Sequence, residues 1–183
     1  AELLSGTIAN TTISYRLTAD GTLTIYSDNI EKMPNYTVNS TVPWAAQKDK
    51  IKKVQINSYL KNIGDYAFYG CNSLESVVIQ DSKLTEIGIA AFKNCTNLKT
   101  INIPETVKVI GTMGFANCNS LQSTKKSPVN IPKGNTEIMD FAFAGCKSMQ
   151  YIKIPASVEM IGNCAFFECD FLSEIEIEEG QLQ

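Results

Sequence analysis

Ala67-Phe68-Tyr69-Gly70-Cys71 is one of five versions of the same phrase. It returns as Ala91-Phe92-Lys93-Asn94-Cys95, Gly114-Phe115-Ala116-Asn117-Cys118, Ala142-Phe143-Ala144-Gly145-Cys146 and Ala165-Phe166-Phe167-Glu168-Cys169. The cysteines step by 24, 23, 28 and 23 residues. A period in the twenties marks a solenoid, in which each unit buries its apolar face against the next.

The flanking positions repeat as well. Each unit supplies a period-two apolar pair: Val54/Ile56, Val77/Ile79, Ile101/Ile103, Val129/Ile131, Ile152/Ile154 and Ile175/Ile177. Both members of such a pair face one side of a strand, here the inside of the coil. Pro104, Pro132 and Pro155 follow three of the pairs and end the strand. Ile63-Gly64, Ile87-Gly88, Ile110-Gly111 and Ile161-Gly162 come next, and the glycine is expected to permit a sharp bend. Met139 takes its place in the fourth copy, so that bend is expected to be made differently. The phenylalanine stands five residues after each of these isoleucines, and a leucine or methionine three residues after each cysteine.

Ahead of the repeats, Ile13, Tyr15 and Leu17 alternate with polar residues, Asp20-Gly21 gives a tight-turn signal, and Leu23 and Ile25 alternate again. This predicts a β-hairpin over 11–27. Residues 28–43 are polar and turn-rich and predict a connecting loop. Trp44, the only tryptophan, is expected to plug the open end of the core. The chain thus divides into a cap over 1–50 (β-hairpin, loop, short helix) and about five repeats over 51–183, with an uncapped C-terminal end.

The pattern I-G-x-x-A-F-x-x-C-x-x-L-x-x-I-x-I-P resembles the BspA-like class of leucine-rich repeat proteins. The stretch Asp20-Gly21-Thr22-Leu23-Thr24-Ile25 and the later Pro43-Trp44 are similar to the cap that often precedes such repeats. The resemblance implies an α/β leucine-rich repeat solenoid. It would have a parallel β-sheet on its concave face, a short helical or irregular convex side and an N-terminal β-hairpin cap. It also implies a bacterial surface or secreted protein, and some members are adhesins that bind host matrix proteins. The third cysteine step is five longer than its neighbours; the extra residues lie near Thr124-Lys125-Lys126-Ser127-Pro128, and insertions in solenoids map to loops at one edge.

Composition narrows the chemistry. The chain has 183 residues, 44% of them apolar and 19% charged, and a net charge of -3, so no general pull toward nucleic acid is expected. No apolar run is long enough for a membrane-spanning helix. The N-terminus lacks the charged and apolar regions of a signal peptide, so a secreted chain would have lost its signal. Histidine is absent, which removes the commonest general base and zinc ligand. Neither catalytic residues, cofactor nor metal are expected. Five of the six cysteines share one point of the repeat, so they predict a ladder of buried free thiols; Cys164 is off register. Glu174, Glu176 and Glu178 alternate with Ile175 and Ile177, and read as charge protecting an exposed last strand.

What remains is surface. The outward strand residues are expected to form one continuous concave sheet face. The partner-binding candidates on it are Asn102, Asn130, Tyr151 and Lys153, with Lys125 and Lys126 of the insertion alongside. Tyrosine is a common interface anchor and lysine steers an acidic partner. The expected function is a non-enzymatic, adhesion-like binding module of a bacterial surface or secreted protein. Its partner would be a protein or glycan, including host extracellular matrix, and end-to-end self-association through the last strand is also expected. The alternative is a spacer that projects another domain from the cell.

Overall fold

Gly21, at φ 88°, turns the chain at the point the sequence marks. The structure is a computed structural model that describes residues 1–80 and 83–180. Strands β2 (Ser14–Thr18) and β3 (Thr22–Glu31) flank the turn as an antiparallel hairpin, and β1 (Glu2–Thr7) pairs antiparallel with β2. The sequence reading missed β1. It also began the loop at residue 28, whereas β3 runs on to Glu31, which pairs with Leu60 beyond an irregularity. The loop ends in Trp44 and a 3-10 turn, Ala45–Lys50.

β3 then pairs in parallel with β4 (Lys53–Leu60), followed by β6 (Ser76–Gln80) and β8 (Thr100–Ile101). Cap and repeats thus share one six-stranded sheet, ordered β1-β2-β3-β4-β6-β8. A second, parallel sheet is made of two-residue strands: β5 (Asn62–Ile63), β7 (Glu86–Ile87), β9 (Val109–Ile110), β10 (Glu137–Ile138) and β12 (Met160–Ile161). A third pairs β11 (Tyr151–Ile154) with β13 (Glu174–Ile177).

The concave sheet is therefore not continuous. Val129 and Ile131 point inward as predicted, but among the described residues their segment makes only one bridge, Asn130 with Lys153. Two side chains substitute for the missing rungs. Asn102 donates its amide to Ile79 O and accepts from Ile79 N, both at 2.9 Å. Ser123, fully buried, accepts from Val129 N at 2.9 Å and donates to Tyr151 O. The extra residues loop out between, closed by reciprocal Thr124–Ser127 backbone bonds.

The convex side takes the irregular form rather than the helical one. Tyr66, Ala90, Met113, Phe141 and Cys164 all have φ between 52° and 57°. Each lies two residues beyond the Ile-Gly glycine or, in the fourth copy, beyond Met139. The bend is thus made alike in all five units, and not by the glycine as the sequence suggested. The glycine answers a close approach instead: a Cβ on Gly88 would stand 2.7 Å from Asp65 N, and one on Gly162 2.4 Å from Asp140 N. Past the bend, N–H groups alternate. Those of Tyr66, Phe68 and Gly70 donate to the next coil, while those of Ala67, Tyr69 and Cys71 close turns within their own. Such alternation leaves no run of i→i−4 bonds, so no α-helix forms there.

Inside, the rings of Trp44, Phe68, Phe92, Phe115, Phe143 and Phe166 form one stack, with successive centroids 5.3–5.6 Å apart and planes within 15°. The spacing follows the coil repeat imposed by the strands. Each later cysteine donates its thiol to the carbonyl of the preceding coil's phenylalanine, as Cys95 does to Phe68 O at 3.2 Å. All six cysteines are free. Cys71, Cys95, Cys118 and Cys146 are buried, Cys169, in the last described coil, is half-buried, and Cys164 is exposed on the left-handed column. Ile175 and Ile177, inward by pattern, are 47% and 55% exposed at the same end.

Candidate interaction face

The concave face has two halves of different chemistry. In the C-terminal half, the β11–β13 register sets Tyr151 beside Glu174 and Lys153 beside Glu176. Tyr151 donates its hydroxyl to Glu176 at 2.6 Å. Lys153 pairs with Glu178 at 3.0 Å and Glu176 at 3.5 Å. Lys125 reaches back from the insertion to Glu174 at 2.8 Å, and its ammonium lies 5.9 Å over the Tyr151 ring. Under this cover Tyr151 is only 5% exposed.

These contacts perturb the groups in consistent directions. The Tyr151 hydroxyl holds Glu176 below its ordinary range, and Glu176 raises Tyr151 in turn. Lys153 lowers Glu178, while Glu178 raises Lys153 and Glu174 raises Lys125. Exposed pairs of this kind contribute little to stability singly, but together they hold the insertion over the strand.

Three of the six residues singled out from sequence, Lys125, Tyr151 and Lys153, thus come together, engaged with glutamates rather than open to a partner. Asn130 lies beside Lys153 and donates to Glu105 at 3.3 Å. Asn102 stands apart, turned back on Ile79. Lys126 is exposed and makes no ion pair among the described residues.

The N-terminal half is different. Strand register sets Ser14, Tyr26, Asn57 and Gln80 in one row, and Arg16, Thr24, Gln55 and Val78 in the next. Only Arg16 is charged in these rows, and it pairs with Glu2 at 2.9 Å. Tyr26 is 44% exposed and Tyr59, two residues beyond Asn57, is 42% exposed. Tyr26 donates its hydroxyl to Asp28. Tyr26, Asn57 and Tyr59 are not among the candidates read from the sequence. Their signal was available in the alternation that continues from Leu23 and Ile25 through β3 and from Val54 and Ile56 through β4.

Comparison with known proteins follows this geometry. The sequence profile described as "BspA type Leucine rich repeat region" matches in six copies over residues 44–128 and 125–183. Among solved structures, a leucine rich cell surface protein from Faecalibacterium prausnitzii is 28% identical with a TM-score of 0.53; the match covers 96% of this chain and 55% of that one. A leucine rich repeat protein of T. pallidum is 26% identical with a TM-score of 0.65, covering 97% of this chain and 83% of that one. A leucine-rich repeat protein from Bacteroides ovatus, at 24% identity and TM-score 0.53, shares the fold. This chain thus spans about half of the Faecalibacterium protein. No curated protein matches it significantly. Among the described residues, no helix is long and apolar enough to cross a membrane. The matched profile is that of a repeat family, and no catalytic family is indicated. The profile covers the chain from the ring that starts the stack to its last residue: the chain belongs to the BspA-type leucine-rich repeat family.

Proposed function

We propose that this chain is a non-enzymatic interaction module of a bacterial cell-surface or secreted protein. It presents its repeat array to an extracellular protein or glycan, in the manner of an adhesin. One observation carries the reading. Inward positions fill the ring stack and its flanking aliphatics, while the outward positions of β2, β3, β4 and β6 form a regular, solvent-facing array. Side chains fixed on a rigid sheet lose little freedom on binding, which favours recognition. The Faecalibacterium relative, named as a cell surface protein, supports the location.

The test is a binding screen of the folded chain against matrix proteins and glycans immobilised on a surface. Saturable binding to a defined partner is the expected result. A screen without binding, on protein with intact circular dichroism, would overturn the reading in favour of a spacer.

A further inference from the structure

We infer that the N-terminal half of the concave face, centred on Tyr26, binds an uncharged glycan chain; this rests on the interaction-module reading above. The argument starts from which hydrogen-bonding side chains are already engaged. In the C-terminal half, Asn102, Tyr151, Lys125 and Lys153 all have internal partners. In the N-terminal half, the side chains of Gln55, Asn57, Tyr59 and Gln80 make no hydrogen bond among the described residues, and Asn57 Oδ1 is enclosed without a partner.

The occupant follows from the chemistry of the rows. Each amide offers both a donor and an acceptor, the combination that sugar hydroxyls also carry. The exposed ring of Tyr26 gives an apolar face against which the C–H side of a sugar ring packs, and its hydroxyl is held by Asp28. Tyr59 offers a second ring on the adjacent strand. An anionic partner is disfavoured because the one cation in these rows, Arg16, is paired with Glu2. Strand addition by a peptide is closed off, because β3 and β4 are interior strands with both edges paired. Within these rows an apolar partner would find only Val78 and the Tyr26 ring, with Tyr59 beside them and Ile30 further along β3. A neutral, hydroxyl-rich chain lying across β2, β3, β4 and β6 satisfies all of these conditions.

The experiment is isothermal titration of the whole chain with cellohexaose, xylohexaose, mannohexaose and chitohexaose. At least one is expected to bind saturably, with affinity unchanged from about 0.05 to about 0.5 M salt. Tyr26→Ala is expected to weaken binding about tenfold or more, and Gln55→Ala with Asn57→Ala to weaken it further. Lys147→Ala, an exposed lysine paired with Asp170 away from this face, is expected to leave it unchanged. Tyr26 is exposed, so its variant should keep the wild-type melting temperature. No binding of any of the four saccharides, or binding that Tyr26→Ala leaves intact, would overturn the inference. A chain that binds a matrix protein in the earlier screen but none of these saccharides overturns this inference alone, leaving the interaction module standing.

Discussion

Trp44 lies on Phe68, with ring centroids 5.4 Å apart and planes 14° from parallel, and its indole N–H donates to Ala67 O at 2.9 Å. The tryptophan is therefore the first ring of the phenylalanine column as well as its cover. Tyr15 meets its other side edge-on at 5.9 Å, which ties the hairpin to the stack.

Replacing that ring should loosen the cap and the first repeat together. Trp44→Ala is expected to cost about 3–5 kcal/mol. Trp44→Phe keeps the stacking but loses the donor to Ala67, so its cost should fall well below that. Urea unfolding of both variants checks the ranking; an equal loss in the two would mean that the hydrogen bond, not the ring, matters.

The core also holds a residue that destabilises it. Asn135 is fully buried, and neither its Nδ2 nor its Oδ1 has a partner among the described residues. Val107 and Val158 occupy the corresponding positions of the adjacent units, each following a proline by three residues and each fully buried. A buried polar group without partners costs about 1–3 kcal/mol. Asn135→Val should therefore raise the melting temperature, and a calorimetric scan that shows a fall would reveal an amide contact the fold depends on.

Thiol reactivity should divide the cysteines three ways. Burial pushes Cys71 up to about 12 and raises Cys95, Cys118 and Cys146 well above the ordinary thiol value, so these four should resist alkylation until the chain unfolds. Cys164, exposed, should label first, and Cys169, half-buried, more slowly. Intact-mass analysis of native and denatured protein after alkylation gives the count. Two or more disulfides in native protein would contradict the ladder.

The glutamate cluster gives a pH dependence with a definite sign. Glu176 and Glu178 have lowered pKa values, from Tyr151 and Lys153 respectively. A carboxyl depressed on folding stabilises above its unfolded value, 4.5 here, and the contribution is lost as pH falls through the lower folded value. The melting temperature of wild type should fall more on acidification through that window than that of Glu176→Gln, Glu178→Gln. Parallel curves would mean that these pairs contribute nothing.

Local patterning along the chain dictates the solenoid, its period and nearly every core position. Those depend on local rules: two-residue alternation decides which side chains face inward, and a repeated Phe in register must stack on its own copies. It also marked Trp44 as the cover of the stack. Only the tertiary structure decided what stands over each outward residue. Alternation told that Tyr151, Lys153 and Asn102 lie on the concave face, but not that Lys125 folds over Tyr151 to meet Glu174, 49 residues away in the chain, or that Asn102 turns back to Ile79. Those contacts depend on where the insertion loop and each side chain settle in three dimensions, which no periodicity encodes; the coils themselves keep their spacing, with the Phe115 and Phe143 ring centroids 5.3 Å apart. The tyrosines of β3 and β4, by contrast, are left 44% and 42% exposed, an outcome that alternation places on the outer face but does not itself decide.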